Sequence, residues 1–181
     1  MQMADVIGHE HQTILGILPI FHGYGLGESI HGVFCSGWTV VLMPRFNIGE
    51  FCHNLRKYRC TILMGTPSMY ESIIKSGKLG SGNLGFINHI ISGGDVLTDA
   101  KYRLILESFS SHGASDVRQG YGLAEAIAAA CFTKGPISGN SIGFALAGTL
   151  ITVTALDSIE ECAEGEEGEI CICGPTVMLG Y

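Results

Sequence analysis

The chain has 181 residues, of which 46% are hydrophobic and 15% are charged, and its formal net charge is −7. This composition is typical of a globular chain with one sizeable core and excludes a disordered segment. The acidic balance, with ten scattered lysines and arginines, argues against a nucleic-acid partner. No apolar run is long enough to be a transmembrane segment, and no signal-peptide pattern is found at the N-terminus.

Short apolar runs alternate with helical patterns over the first two thirds of the chain. The apolar runs predict strands at 13–20, 38–44, 60–65, 86–94 and 115–122. The patterns between them predict helices at 25–37, 47–58, 66–77 and 97–113. Thr66 is a candidate N-cap for the third helix, because Pro67 follows at the first helical position. The alternation predicts an α/β fold with a mostly parallel sheet flanked by helices.

The pattern changes after residue 126, where strand-forming runs are separated by turn signals and no helix is predicted. The runs lie at 127–132, 149–157 and 168–174 and predict a short antiparallel β region. We therefore divide the chain into an α/β sheet region, residues 1–126, and a β-rich continuation, residues 127–181. Neither end has the pattern of a domain boundary, so we expect a piece of a longer protein.

The seven cysteines are odd in number and form no C-x-x-C pair. Most of them lie in apolar runs, which predicts reduced thiols in the core of a cytoplasmic protein. The histidines show no spacing typical of a zinc site, so no metal is predicted from them.

Glycine-rich stretches follow three of the predicted strands, at 21–27, 92–96 and 119–125. Ligands bind at the carboxyl ends of strands in open parallel sheets, so we expect the stretches to meet in one crevice. The first stretch could also be a dinucleotide loop of a reductase, since Gly23-x-Gly25 follows a strand. Glu28 stands where that loop has its third glycine, and a carboxylate there would face a pyrophosphate, which argues against this interpretation.

Two further side chains are candidates for chemistry. His22 follows a strand end, but no G-x-S-x-G nucleophile elbow accompanies it. Glu125 lies in an apolar run between Leu123 and Ile127, where a charge is costly unless something pairs with it. We expect a ligand or a cation beside this carboxylate.

Four motifs in the chain resemble, in order and rough spacing, those of the adenylate-forming (AMP-binding) superfamily. They are LPIFHGYGL from residue 18, SGGDVL from residue 92, QGYGLAEA from residue 119 and GEEGEICICGPTVMLGY ending at residue 181. The resemblance is greatest to bacterial acyl-CoA synthetases, also called fatty-acid–CoA ligases, and implies an internal piece of their large N-terminal domain. It implies that ATP and Mg²⁺ activate a carboxylic acid, here a fatty acid, as acyl-AMP. The acyl group then passes to the thiol of coenzyme A.

The resemblance also implies roles for single residues. Glu125 matches the Mg²⁺-binding glutamate, and Glu125 and His22 are the implied catalytic residues. The implied ATP or AMP site consists of Gly93, Gly94, Asp95, Gln119, Gly120, Tyr121 and Ala124, with the ring of Tyr121 stacked on the adenine. The residues implied beside the acyl carboxylate are His22, Tyr24 and Gly25, with small residues at 25 and 27 leaving room for the acyl group.

Two departures from the family pattern leave alternatives open. Ala124 replaces a threonine that hydrogen-bonds the phosphate, as also happens in fatty-acyl-AMP ligases, which deliver lipids to carrier proteins. The lysine-containing phosphate loop, the ribose-binding aspartate and the catalytic lysine are not found within the 181 residues. We therefore expect the isolated piece to be inactive and, through exposed sheet edges and apolar surface, to self-associate. A nucleotide-binding module without catalysis is the alternative from a different class.

Overall fold

The computed structural model describes residues 2–127, 129–135 and 141–181. The helices within these ranges are α1 (Gln2–Ile7), α2 (Gly23–Leu26), α3 (Gly32–Ser36), α4 (Ile48–Lys57), α5 (Pro67–Lys75) and α6 (Asp99–Ser110). The strands are β1 (Thr13–Gly16), β2 (Thr39–Leu42), β3 (Ile62–Gly65), β4 (His89–Ser92), β5 (Val117–Tyr121), β6 (Cys131–Phe132), β7 (Phe144–Ala145), β8 (Leu150–Thr154) and β9 (Glu169–Cys173). A π-helical turn, Gly27–His31, joins α2 to α3, and a 3₁₀ turn, Ala124–Ala126, follows β5.

The main sheet has the strand order β2-β1-β3-β4-β5-β6-β7. Strands β1 to β5 are parallel, whereas β6 and β7 add antiparallel pairs at one edge. A separate antiparallel hairpin consists of β8 and β9. The predicted α/β fold, with a mostly parallel sheet followed by a short antiparallel region, is confirmed.

Helices cover both faces of the parallel part of the sheet. The chain moves toward one edge after β1 and toward the other edge after β2. Right-handed crossovers therefore place α2 and α3 on one face and α4, α5 and α6 on the other. Between α5 and α6, the rings of Tyr70 and Phe109 pack edge to face, and the Tyr70 hydroxyl donates to the Ile91 carbonyl. The direction of the chain reverses beside β1, and ligands bind at such a reversal in open sheets.

Side-chain caps start the three longest helices. Asn47, Thr66 and Thr98 each accept a hydrogen bond from the backbone N–H three residues later, which satisfies a donor that the first helical turn leaves free. The predicted cap at Thr66, with Pro67 at the first helical position, is confirmed. These caps fix where each crossover helix begins after its strand.

The structure differs from the predicted elements in several places. Strand β1 ends at Gly16, four residues before the predicted end, because the chain turns at 17–22 to enter α2. The predicted helix 25–37 begins two residues earlier, at Gly23, and contains the π-helical turn. Helix α1 and strand β7 were not predicted. Within the predicted strand 127–132, residue 128 lies outside the described residues.

A cluster of polar side chains near the amino ends of β4 and β5 anchors α1 to the sheet. Arg118 and His89 both pair with Asp116, and their remaining nitrogens contact the carbonyls of Val6 and Ile7. A six-residue helix is marginal alone, and these tertiary contacts stabilise it. No periodicity in residues 2–7 could have revealed them.

The cysteines are all free thiols, but only part of the core prediction holds. Cys52, Cys60 and Cys131 are buried, whereas the others are exposed or half-buried: Cys35, Cys162, Cys171 and Cys173. The exposed pair 171 and 173 lies on β9, whose hairpin leaves alternate side chains accessible. No helix among the described residues has the length and apolarity needed to cross a membrane.

Candidate active site

Two adjoining cavities open where the parallel strands end. The first cavity, about 240 Å³ in volume, is lined by residues that follow β1, β4 and β5, among them His22, Tyr24, Gly93 and Ala124. The three glycine-rich stretches that we expected to converge are thus brought together. The second cavity, about 430 Å³ in volume, lies beside it and includes Asp95.

The two cavities share a wall made of glycines. Gly94, Gly120 and Gly122 line both of them. Gly94 has a φ of +76°, a backbone conformation that favours glycine. Without side chains on this wall, a ligand in one cavity can reach a ligand in the other. The arrangement suits two reactants that must meet, each held in its own cavity.

His22 caps helix α2 at the mouth of the first cavity. Its Nδ1 accepts a hydrogen bond of 3.1 Å from the Tyr24 backbone N–H. Since Nδ1 accepts, the neutral ring carries its proton on Nε2, which is free to donate to a ligand. The cap fixes the direction of the ring, so His22 is positioned before any ligand binds.

Tyr24 lies across the end of β4. A Cβ on Gly93 would come within 3.1 Å of the Tyr24 ring and hydroxyl, so glycine at this position makes room for the ring. The Tyr24 hydroxyl is buried and has no hydrogen-bond partner among the described atoms. Burial, and then the nearby Glu28 carboxyl, raise the pKa of Tyr24, so the phenol stays protonated and is available as a donor.

Gly25 lines neither cavity, although the resemblance implies a place for it beside the acyl group. A Cβ on Gly25 would lie 2.1 Å from the Pro19 carbonyl oxygen, far inside van der Waals contact. The glycine therefore lets α2 pack against the turn that leads into it. Its role in substrate binding stays a prediction.

Gln119 and Tyr121 contribute to the second cavity from strand β5. The backbone of Gln119 is held by Thr133, whose Oγ1 accepts from the Gln119 N–H at 2.8 Å. The Gln119 side-chain oxygen is buried without a partner among the described atoms, as is the hydroxyl of Ser92, its register partner on β4. Unsatisfied buried polar atoms at the end of neighbouring strands are typical of a ligand site.

Asp95 lines the second cavity from the segment after β4. Its Oδ1 accepts from the Val96 backbone N–H at 2.8 Å, which orients the carboxylate. Every residue implied for nucleotide binding lines one or both cavities: Gly93, Gly94, Asp95, Gln119, Gly120, Tyr121 and Ala124.

Glu125 lies on the 3₁₀ turn directly after Ala124 and lines neither cavity. Its side chain is half-buried, and its Oε1 accepts a hydrogen bond from the Tyr181 hydroxyl at 2.8 Å, a partner that the sequence did not indicate. A hydrogen bond from its own backbone, followed by the Tyr181 hydroxyl, lowers the pKa of Glu125. The carboxylate is therefore ionised at neutral pH.

Tyr181 and Glu125 tie the end of the chain to the site. The Met178 backbone N–H donates to the Glu125 carbonyl at 2.7 Å, so two contacts link these segments. Sequence analysis missed the role of Tyr181, since nothing in the order of residues pairs positions 125 and 181. Only the fold brings them together.

Glu28 is the other residue that sequence analysis missed. It was considered only as an obstacle to a dinucleotide loop, yet it lines the first cavity and is buried. Burial raises its pKa to about 7. Its spacing of four residues from Tyr24 places both side chains on one helix face, which is the signal that could have revealed it.

The substitution Glu28→Gln is expected to raise the free energy of unfolding above that of the wild type by more at pH 8 than at pH 5. The folded-state pKa is about 7 and the ordinary value is 4.5, so the native protein loses stability as pH rises through this window. The loss is about 2 to 4 kcal/mol at 1.36 kcal/mol for each pKa unit. Denaturant unfolding of both proteins at the two pH values measures it.

The matched control is Glu107→Gln, at an exposed position on α6. It should leave the difference between pH 5 and pH 8 close to the wild-type value. A Glu28→Gln protein that follows the wild-type pH dependence would contradict the raised pKa.

Comparison with known proteins assigns the family. A sequence model described as AMP-binding enzyme matches residues 1–181, the whole chain. The chain belongs to the AMP-binding enzyme family. The resemblance inferred from four motifs is thus confirmed.

Curated proteins with related sequences include CoA ligases and luciferin 4-monooxygenases. A probable 4-coumarate–CoA ligase from Dictyostelium discoideum is 34% identical over 174 residues, which cover 95% of this chain and 31% of that protein. A long-chain-fatty-acid–CoA ligase from Bacillus subtilis (strain 168) is 30% identical over 172 residues, covering 94% and 30%. The chain therefore spans about a third of the length of these relatives.

Solved structures show the same fold. A long-chain-fatty-acid–CoA ligase from Archaeoglobus fulgidus has a TM-score of 0.88 at 22% identity, covering 99% of this chain and 38% of that one. The O-succinylbenzoate–CoA synthetase from Bacillus subtilis, solved with ATP and a magnesium ion, has a TM-score of 0.83 at 26% identity, covering 99% and 36%. The fold of this chain is that of a segment of these AMP-binding enzymes.

Proposed function

We propose that the protein containing this chain is an ATP-dependent acid–thiol ligase. A carboxylate oxygen of the acid attacks the α-phosphorus of ATP, and pyrophosphate leaves. The sulfur of coenzyme A then attacks the acyl carbon, and AMP leaves. The observation that carries the proposal is the pair of adjoining cavities with a shared glycine wall, since the two reactants of the first step must meet.

The second cavity is proposed to hold the adenosine part of ATP. Its volume of about 430 Å³ lies in the usual range for small-molecule sites. Tyr121 offers an aromatic face for the adenine, and Asp95 and Gln119 offer acceptors for its amino group. The unpaired Gln119 side-chain oxygen fits this role, because a bound ligand would satisfy it.

The first cavity is proposed to hold the acid, with its carboxylate near His22. The Nε2–H of His22 can donate to a carboxylate oxygen while Nδ1 stays bound to the backbone. The Tyr24 hydroxyl offers a second donor. Gly25 stays in the proposal as the residue that seats α2 beside the acid. The sequence resemblance suggests a fatty acid, and the curated relatives carry the names of both aromatic and fatty acids.

Glu125 is proposed to bind Mg²⁺ together with ATP phosphates. No group of three or more His, Cys, Asp or Glu side chains that could hold a metal is found in the described part of the chain. Mg²⁺ commonly uses one or two carboxylates together with substrate phosphates, so one ionised glutamate beside the cavity fits. When bound, the ion supplies positive charge to phosphate oxygens. The hydrogen bond from the Tyr181 hydroxyl holds the Glu125 carboxylate in place.

The acceptor of the acyl group has a second candidate. Ala124 lines the first cavity and lacks the hydroxyl that is usual in the family at this position. Alanine here also occurs in fatty-acyl-AMP ligases, which deliver the acyl group to a carrier protein. A module that binds nucleotide without catalysis would share the second cavity but would release no pyrophosphate. We also propose a cytoplasmic location for the protein, a division of the chain at residue 126, and inactivity of the isolated chain. The isolated chain is proposed to self-associate, because the apolar side chains of Leu156, Ile159 and Leu179 are exposed.

The proposed function is tested on the complete gene product with ATP, Mg²⁺ and a panel of carboxylic acids. Acid-dependent release of pyrophosphate is expected, followed by formation of an acyl thioester when coenzyme A is added. Pyrophosphate release without any thioester, together with transfer to a carrier protein, would favour the second acceptor. Nucleotide binding without pyrophosphate release for any acid would contradict the proposal.

Replacing Ala124 by Thr is expected to raise kcat/KM for ATP by a factor of up to about ten. A hydroxyl at this position can donate to a phosphate oxygen, and one net hydrogen bond contributes roughly 0.5 to 1.5 kcal/mol. The side chain is exposed in the cavity, so there is room for the larger residue. Initial rates at varied ATP concentration measure the change.

Ala124→Val is the matched control, since valine has the shape of threonine without the hydroxyl. The valine protein should gain nothing. An equal gain from Val would assign the effect to packing, and a loss with Thr would show that the site is built around alanine.

A further inference from the structure

A third cavity, about 110 Å³ in volume, lies between α1 and the antiparallel edge of the main sheet. Asp5 and Val6 line it from α1, and Phe144 and Ala145 line it from β7. The proposed reaction does not use this cavity. It lies on the same face of the sheet as the first cavity, because α1 contacts α3, which covers that face together with α2.

Phe132, on β6, lines both the first cavity and the third. Its side chain is 1% exposed and is among the largest that the described part of the chain buries fully. The ring packs over Gly120, its register partner on β5, where a Cβ would lie 3.5 Å from the ring atoms Cδ2 and Cε2. On β7 its register partner is Phe144. The ring is therefore held between two strands, at the place where the two cavities approach each other.

The first cavity offers different surroundings to the two parts of an acid. His22, with its free Nε2–H, lies at the mouth, whereas Ile91, Ala129 and Phe132 form an apolar part of the wall. A carboxylate belongs beside the donor, since a charge on an apolar surface is costly. The tail of the acid then extends along the apolar wall toward Phe132.

The Phe132 ring is an obstacle that such a tail does not easily displace, because protein interiors are packed about as densely as organic crystals. One methylene group too many in a hydrophobic pocket changes kcat/KM by roughly tenfold or more. Removal of the ring would join the first cavity to the third, and the tail would gain the additional 110 Å³.

We propose that Phe132 is a specificity-determining residue, which limits the length of the acid by closing the first cavity against the third. The proposal rests on the proposed function, because it places the acid in the first cavity. It assigns short acids, with an aliphatic tail or a single aromatic ring, as the substrate class and excludes long-chain fatty acids. The position of the ring depends on the pairing of β6 with β5 and β7, which the sequence motifs do not contain.

The test measures pyrophosphate release by the complete gene product with ATP, Mg²⁺ and straight-chain acids of four to sixteen carbons, in steps of two. A parallel series carries a phenyl ring at the end of the tail. We expect kcat/KM of the wild type to pass through an optimum and to fall at least about tenfold for the acid one step longer. Phe132→Ala should move the optimum to a longer acid, by at least one step.

Three further variants separate the role of the ring from a general loosening of the core. Phe132→Leu is a milder change that should move the optimum in the same direction, and it carries the test if Phe132→Ala fails to fold by circular dichroism. Phe109→Leu, between α5 and α6 on the other face of the sheet, should leave the optimum unchanged. Ala145→Leu, added to Phe132→Ala, fills part of the third cavity and should move the optimum back.

Four results would overturn the proposal. The first is a wild-type kcat/KM that still rises at sixteen carbons, and the second is an optimum unchanged in the folded Phe132 variants. The third is an equal shift in Phe109→Leu. The fourth is an optimum that stays long when Ala145→Leu is added.

Absence of pyrophosphate release with every acid, in the wild type and in the variants, would instead contradict the proposed function. The length limit is then measured by isothermal titration of the same acids. A gain in affinity for the longer acids in Phe132→Ala, but not in Phe109→Leu, would support the role of Phe132 independently of catalysis. Affinities that do not depend on length, or that the Phe132 variants leave unchanged, would overturn it.

Discussion

Glu125→Gln is expected to lower the rate of acid-dependent pyrophosphate release at least about a hundredfold, the size of effect seen when one preorganised electrostatic contact is lost. Glutamine keeps the shape of the side chain, and its amide oxygen can still accept from Tyr181. What it removes is the negative charge, which the hard Mg²⁺ ion prefers in a ligand. Initial rates at varied Mg²⁺ concentration should show a higher requirement for the metal.

Two controls separate charge from structure at this position. Tyr181→Phe removes the hydrogen bond to Glu125 but leaves the carboxylate, so we expect a loss of less than about tenfold, the value of one such bond. Glu164→Gln, in an exposed turn, should leave the rate unchanged. An unaltered rate and an unaltered Mg²⁺ dependence in Glu125→Gln would show that the proposed metal role is wrong.

Gly25→Ala is expected to destabilise the protein by about 3 kcal/mol or more, which is the upper end for overpacking of a well-packed site. Alanine normally stabilises a helix by about 0.5 to 1 kcal/mol relative to glycine. Here the new Cβ would lie 2.1 Å from the Pro19 carbonyl oxygen and 2.6 Å from its carbon. Both are backbone atoms, so α2 must move away from the turn that precedes it.

Denaturant unfolding of the two proteins measures this loss. Gly49→Ala, in the first turn of α4, is the control, because its nearest neighbour is the side-chain oxygen of Asn47 at 3.3 Å. That oxygen can shift slightly, so the change should stay within about 1 kcal/mol. A Gly25→Ala protein as stable as the wild type would contradict the close packing of α2.

Local patterns were sufficient to predict the parallel sheet and its helices. Strands β1 to β4 are short apolar runs that end at or shortly before glycine or proline, and the cap predicted at Thr66 marks where α5 begins. Boundaries were less accurate. The run at 13–20 is apolar throughout, but its second half is a turn, because the chain must leave the sheet to reach α2.

The candidate site was predictable in part, for reasons that differ between residues. The glycine-rich stretches indicated convergence, because the ends of parallel strands meet at one edge. The bond between Glu125 and Tyr181 depends on contacts across 56 positions, which no local pattern encodes. The spacing of four residues places Glu28 on the same helix face as Tyr24, but the cavity that buries this face is formed by strand ends that are distant in sequence.

The central claim is that the two cavities hold an acid and ATP side by side, so that the AMP group is transferred from ATP to the acid. Exchange of labelled pyrophosphate into ATP, catalysed by the complete gene product, tests it most directly because it reports the first step alone. The account predicts exchange that requires both a carboxylic acid and Mg²⁺, does not require coenzyme A, and falls at least about a hundredfold in Glu125→Gln. Exchange that is undetectable with every acid, or equally fast in Glu125→Gln, would contradict it.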